Sequence, residues 1–219
     1  SAPINHSRAP NTALAPRPFC HLQSANHARS DQYSRLVPAS TTPRVIAVFG
    51  ASRTSPGDGL YEEGVRCGAL LADAGYVVTT GGYGGVMEAV SRGARDHGGT
   101  VLGITAPEVF PDRPGANPFV SHERPALHLL DRIHNMTRTS AAAITLPGSL
   151  GTLTELVAAW NLAFVARFSG TKPKPIVTVG EQWAALVDQL AATLDADRAL
   201  VLTVATVDDA VAVVRRLVG

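Results

Sequence analysis

Apolar and polar residues alternate along this chain in blocks that predict strands followed by helices. Short uncharged runs, typical of buried parallel strands, occupy residues 45–49, 76–80, 100–104, 142–146, 175–179 and 200–204. Apolar residues at helical spacing predict helices over residues 60–74, 86–97, 126–139, 153–165 and 207–218. This alternation predicts an α/β fold: one Rossmann-like domain with a doubly wound parallel sheet and helices on both faces.

Two of the predicted strands end in glycine-rich turns. Gly81-Gly-Tyr-Gly-Gly85 follows the second strand, and Pro147-Gly-Ser-Leu-Gly-Thr152 follows the fourth. Glycines in such turns let a ligand approach the backbone, while free N–H groups and the helix dipole attract anions. Both turns and the Gly50-Ala-Ser loop are expected at the carboxyl edge of the sheet, where such folds bind ligands. The pattern predicts a phosphate site.

A purely structural interpretation of these turns is equally compatible with their spacing. The glycines would then only shape the turns, and Thr152 and Glu155 would form a capping box that satisfies N–H groups at the helix start. The spacing matches neither the P-loop nor the usual dinucleotide fingerprint. Convergence of three loops at one edge favours the phosphate site.

A long connection follows the third predicted strand. Residues 105–126 contain five prolines and show no apolar period. Connections of this length in compact domains are usually functional, so we expect a flap over the active site.

The first 43 residues differ in composition from the rest of the chain. They are rich in Ser, Ala, Pro, Asn and Arg and carry four arginines against Asp31. Because such a segment cannot bury enough apolar surface to fold, we expect a flexible leader over 1–43 and the domain over 44–219. Its composition also suits a transit peptide.

Charge and cysteine content exclude several classes of partner. A net charge of +1 does not favour nucleic-acid binding, and no apolar run is long enough to span a membrane. Two cysteines suit a reducing compartment, so we expect a cytoplasmic protein. His122, His128 and His134 recur every six residues and do not share a helical face, so no metal site is predicted. No cofactor is expected.

The motifs resemble those of the LOG (Lonely Guy) family of nucleoside monophosphate phosphoribohydrolases. The family signature Pro-Gly-Gly-x-Gly-Thr-x-x-Glu is matched by residues 147–155, with Ser149 at the second glycine. The upstream Gly-Gly-x-x-Gly-x-Met is matched by residues 81–87. An Arg-Lys pair precedes the signature in the family. Arg132 stands at the arginine, Ile133 at the lysine and Met136 at a following methionine.

The resemblance implies a function and a set of site residues. The expected reaction is hydrolysis of AMP or N6-substituted AMP, of the cytokinin-activating type, to free base and ribose 5-phosphate. Arg132 and Glu155 are implied as the catalytic pair, and the phosphate or nucleotide is implied to contact Gly81, Gly82, Gly85, Met87, Gly148, Ser149, Gly151 and Thr152. The family is homodimeric, which implies a homodimer here with contacts along residues 127–136 and 153–165.

Two alternatives remain open from the sequence. Arg132 could be a surface residue paired with Asp131 or Glu123. The run Gly84-Gly-Val-Met-Glu-Ala-Val90 also resembles the related molybdenum-cofactor-carrier-like proteins, which bind a phosphorylated ligand without hydrolysis. Ile133 and Ser149 depart from the LOG motifs and are compatible with this interpretation. The second hypothesis is therefore a non-catalytic binding protein.

Overall fold

The structure, a computed structural model, describes residues 44–113 and 115–219. The predicted leader and Pro114 of the predicted flap lie outside the described residues. Seven strands form one sheet in the described part: β1 (Val45–Phe49), β2 (Val77–Thr80), β3 (Val101–Thr105), β4 (His122–Pro125), β5 (Ala142–Thr145), β6 (Ile176–Val179) and β7 (Val201–Val204).

Six helices alternate with these strands in the described part of the chain. They are α1 (Gly59–Asp73), α2 (Val86–Asp96), α3 (Leu129–Thr139), α4 (Leu150–Ala166), α5 (Glu181–Leu194) and α6 (Val207–Val218), with a 3₁₀ turn at Arg198–Leu200. None of the helices described is long and apolar enough to cross a lipid bilayer.

All strand pairs are parallel, in the order β4-β3-β2-β1-β5-β6-β7. Strand β1 lies between β2 and β5, so the strand order reverses between β1 and β5. In doubly wound sheets the carboxyl ends of two such strands border the ligand crevice. The predicted α/β fold class is confirmed.

Side chains of the central strands alternate between two apolar layers. Ile46 and Val48 pack with apolar residues of α1, α2 and α6, whereas Ala47 and Phe49 pack with α3, α4 and α5. Both faces of these strands are covered by helices, so their side chains do not alternate between apolar and polar. This explains the continuous apolar runs in the sequence.

The sequence-based assignment was wrong at one edge of the sheet. The end of the predicted flap forms strand β4, which pairs with β3, and helix α3 begins at Leu129 rather than at Ala126. The sequence His122-Glu-Arg-Pro125 has no apolar alternation because both faces of this edge strand are exposed. Helix α5 was not assigned from the sequence.

A candidate active site at the carboxyl edge of the sheet

Backbone hydrogen bonds join the three loops at the carboxyl ends of β1, β2 and β5. The Ala51 N–H donates to the Pro147 carbonyl at 3.1 Å, and the Val86 N–H donates to the Ala51 carbonyl at 2.8 Å. The loop after β1 therefore bridges both glycine-rich turns, as their predicted convergence requires.

Gly85 is required by the backbone of the first glycine-rich turn. Its φ is +73°, a region that residues with side chains rarely adopt, and a Cβ atom there would lie 2.5 Å from the Ala51 oxygen. Glycine at this position therefore allows α2 to start against the loop after β1.

Arg132 projects from α3 into the interior and is only 6% exposed. Its Nε donates to the Ile104 carbonyl at 2.8 Å, Nη1 lies 3.1 Å from Glu155 Oε1, and Nη2 lies 3.5 Å from Met87 Sδ. These contacts fix the guanidinium between the end of β3 and the first turns of α4. The interpretation of Arg132 as a surface residue is wrong, because its acidic partner is Glu155 and not Asp131 or Glu123.

Gly81 makes room for this guanidinium. A Cβ atom at Gly81 would lie 1.6 Å from Arg132 Nη2 and 2.6 Å from Met87 Sδ. Gly81 and Met87, predicted as nucleotide contacts, therefore surround Arg132, and Gly82 carries a carbonyl that anchors the neighbouring loop.

Glu155 lies in the second turn of α4 and is 8% exposed. Helix α4 begins at Leu150 with Ser149 as its N-cap, so Thr152 and Glu155 are already inside the helix and the capping-box interpretation is wrong. Burial raises the pKa of the Glu155 carboxyl, and the charge and hydrogen bond of Arg132 offset that rise only in part.

The turn from β5 into α4 presents the predicted phosphate contacts. Ser149 and Gly151 are exposed, and the Ser149 hydroxyl makes no capping hydrogen bond. The first intrahelical bond here runs from Leu153 N–H to the Ser149 carbonyl, so the N–H groups of the preceding turn are open to an anion. Thr152 is buried and packs against Gly148, where a Cβ would lie 2.2 Å from its Oγ1.

Several residues that hold the site together were not identified from the sequence. Gln182 at the start of α5 donates to the Gly148 carbonyl at 3.1 Å. Asn117 donates from its side chain to the carbonyls of Gly82 and Tyr83, at 3.0 and 2.9 Å. Each is a polar residue in a loop or helix start far away in sequence, and its partner is a backbone atom. No local motif marks such contacts.

Tyr83 connects the first glycine-rich turn to the predicted flap. Its hydroxyl accepts a hydrogen bond from the Ala106 N–H at 2.7 Å, and its ring packs edge-to-face with Phe110. The guanidinium carbons of Arg113 and Arg132 lie 5.0 and 5.9 Å from the ring centroid. A groove of about 360 Å³ beside Tyr83 is bordered by the loop around Asn117. These contacts tie Ala106, Phe110 and Asn117 to the first glycine-rich turn.

Comparisons with known proteins identify the family of this chain. The SLOG cluster4 family matches residues 43–210. Over 139 residues the chain is 34% identical to the cytokinin riboside 5'-monophosphate phosphoribohydrolase of Mycobacterium tuberculosis, covering 61% of this chain and 69% of that protein.

Two solved structures share the fold. The molybdenum cofactor binding protein of Rippkaea orientalis superposes with a TM-score of 0.65 at 23% identity, covering 82% of this chain and all of that one. The molybdenum cofactor carrier protein of Chlamydomonas reinhardtii gives 0.64 at 24% identity, covering 81% and 99%. The family match, the mycobacterial relative and the signature residues lead to one conclusion: the chain belongs to the SLOG cluster4 family and is LOG-like.

Proposed function

We propose that this protein hydrolyses the N-glycosidic bond of a nucleoside 5'-monophosphate, AMP or an N6-substituted AMP, to the free base and ribose 5-phosphate. The observation that carries the proposal is the buried Arg132–Glu155 ion pair beside an anion-binding helix start. The name of the mycobacterial relative supports the same reaction class.

The burial of this ion pair favours a catalytic role over a structural one. Removing two charges from water costs several kcal/mol for each ion, and the attraction between them often fails to repay that cost. A carboxylate with a raised pKa, next to a single cation and at a ligand-binding edge, is typical of active sites.

The substrate's phosphate would bind at the turn over residues 147–152. Open N–H groups at the start of α4, the helix dipole and the Ser149 hydroxyl all favour an anion there. Three of the five N–H groups of Arg132 contact Ile104, Glu155 and Met87, so two remain to bind ribose or phosphate oxygens. Holding the phosphate would place the ribose near Glu155, which lies one turn further along α4.

The chemical step uses one water molecule. As the bond between ribose C1′ and the base nitrogen breaks, positive charge develops on the sugar, and the Glu155 carboxylate stabilises it and orients the attacking water. The water oxygen bonds to C1′, and one water proton ends on the leaving base. Arg132 keeps the carboxylate in position and charged.

Free base release from AMP tests the proposal. We expect adenine and ribose 5-phosphate in equal amounts by chromatography, with no release from adenosine, which lacks the phosphate. The same assay with N6-prenylated AMP shows whether the N6-substituted nucleotide also releases its base. Absence of base release from a panel of purine and pyrimidine monophosphates would overturn the proposal.

The binding-protein hypothesis makes a different prediction for the same panel. Ile133 stands where the LOG motif has a lysine, so a cation next to Arg132 is lost. Ser149 stands where the motif has a glycine, in the turn proposed to bind the phosphate. Tight binding of nucleotide or molybdenum cofactor without base release would establish this alternative.

We also propose a homodimer. Helix α4 presents Leu150, Val157 and Phe164 at a spacing of seven residues, with Phe168 one turn beyond, and all four side chains are exposed. Together we call them the α4 stripe. A seven-residue apolar repeat on a helix surface is typical of a seam between helices, and exposed apolar residues in such a row favour association.

A further inference from the structure

A second cavity opens between α3 and α4, at the edge of the sheet opposite to the candidate active site. It encloses about 350 Å³ and is lined by the last residues of α3 and α4 and the first residues of β5 and β6. This volume falls in the range of small-molecule sites, roughly 300–1,000 Å³. We infer that the cavity binds a small carboxylate with an apolar tail, a function separate from nucleotide hydrolysis.

The floor of the cavity is apolar because small side chains line it. Alanines from strand β5 and helix α4 leave the space open, and Ile176 and Leu162 add apolar surface; the alanines are Ala142, Ala143, Ala159, Ala163 and Ala166. Burying an alkyl chain against such a surface is favourable, whereas a polar molecule would leave its hydrogen bonds unmade.

The rim of the cavity is cationic. Arg138, Lys172 and Lys174 line it, and its lining contains no aspartate or glutamate. Within residues 44–113 and 115–219, Arg138 and Lys172 form no salt bridge. An anionic head group is the natural counter-charge for this rim.

Lys174 gives the rim a fixed donor. Its Nζ donates to the carbonyls of Thr137 and Arg138, each at 2.8 Å, so one of its three N–H groups remains for a ligand. Partial burial and the positive charge of Arg138 lower the pKa of the Lys174 amine. A bound carboxylate would relieve that repulsion.

The cavity is distinct from the proposed dimer contact. Successive residues of a helix are about 100° apart, so Ala159, Ala163 and Ala166 lie on the side of α4 opposite to the α4 stripe. A second copy seated on the stripe would leave the cavity free to take a small ligand.

Calorimetric titration of the full chain with octanoate, below its micelle concentration, tests the inference. We expect one octanoate to bind per chain. Acetate, which lacks the alkyl tail, and octan-1-ol, which lacks the charge, should each bind at least about tenfold more weakly. The combined change Arg138→Gln and Lys172→Gln should weaken octanoate binding at least about tenfold. Arg216→Gln, an exposed cation on the other face of the sheet, should leave it unchanged.

A cavity-filling variant locates the site. Ala163→Leu should abolish octanoate binding while its far-ultraviolet circular dichroism stays that of the parent. Equal binding of octanol and octanoate, several octanoates per chain, or unchanged binding in the double variant would overturn the inference. A folded Ala163→Leu variant that still binds octanoate would also overturn it. If Ala163→Leu instead dissociates a dimer, the cavity is an interface and not a ligand site.

Discussion

Glu155 and Arg132 are each buried with the other as its ionic partner, so a change at Glu155 separates catalysis from binding. Glu155→Gln keeps the size of the side chain and removes its charge. If Glu155 stabilises the transition state, kcat for base release should fall by about 100-fold to 10,000-fold with little change in AMP affinity. The measurement is steady-state kinetics beside calorimetry. Glu63→Gln, on the exposed side of α1, should change neither, and a fully active Glu155→Gln would refute the assignment.

The raised pKa of Glu155 predicts the pH dependence of the reaction. Because the carboxylate is the reactive form, kcat/KM should fall as the pH drops through a value above the ordinary 4.5 of glutamate. The same raised pKa stabilises the fold below pH 4.5, and this contribution is lost as the pH rises through the folded-state value. If kcat/KM falls only at or below pH 4.5, the predicted pH dependence of the reaction is contradicted.

Thr145 tests how much a buried hydroxyl without a hydrogen-bond partner lowers the stability of the protein. Its Oγ1 is fully buried and has no hydrogen-bond partner among the described residues. Replacing it with the isosteric valine should therefore stabilise the protein by about 1 kcal/mol in urea unfolding. At Thr79, also fully buried, the hydroxyl donates to the Leu102 carbonyl at 3.2 Å, so Thr79→Val should destabilise. Destabilisation by Thr145→Val would show that its hydroxyl does have a partner.

At the scale of elements, the turn after β2 positions α3 as well as α2. Gly81→Ala would place a methyl group where Arg132 Nη2 lies, so the guanidinium must move away from Glu155. We expect kcat/KM to fall by about 100-fold with the secondary structure retained. Gly84→Ala, whose Cβ would meet its nearest neighbour at 3.9 Å, is the control and should keep full activity. Equal losses in both variants would mean that the whole turn, and not Arg132, is affected.

At the scale of the whole molecule, the α4 stripe should decide the oligomeric state. Leu150 and Phe168, at its two ends, are 76% and 77% exposed. Val157→Glu combined with Phe164→Glu introduces like charges into the seam, so sedimentation should report one chain instead of two. Leu194→Glu changes an exposed apolar residue of α5, outside the α4 stripe, and should leave the dimer intact. A parent protein that sediments as a single chain at micromolar concentration would refute the dimer.

The sequence by itself determined most of the helices and strands and the loops that carry the chemistry. Buried strands such as β1 are continuous apolar runs because both faces are covered, and the helices repeat their apolar residues at helical spacing. Glycine-rich turns marked the carboxyl edge, and the resemblance to the LOG family selected Arg132 and Glu155. These signals are local, so they can be seen in one chain.

Only the tertiary structure decided which groups meet. Arg132 and Glu155 are 23 residues apart, and their pairing depends on how α3 and α4 pack on the sheet. Strand β4 has no local signal, because its pairing with β3 and not its own side chains makes it a strand. Asn117 and Gln182 act through backbone carbonyls that any sequence would supply. Contacts of this kind follow from the packing of distant segments, which a linear pattern does not encode.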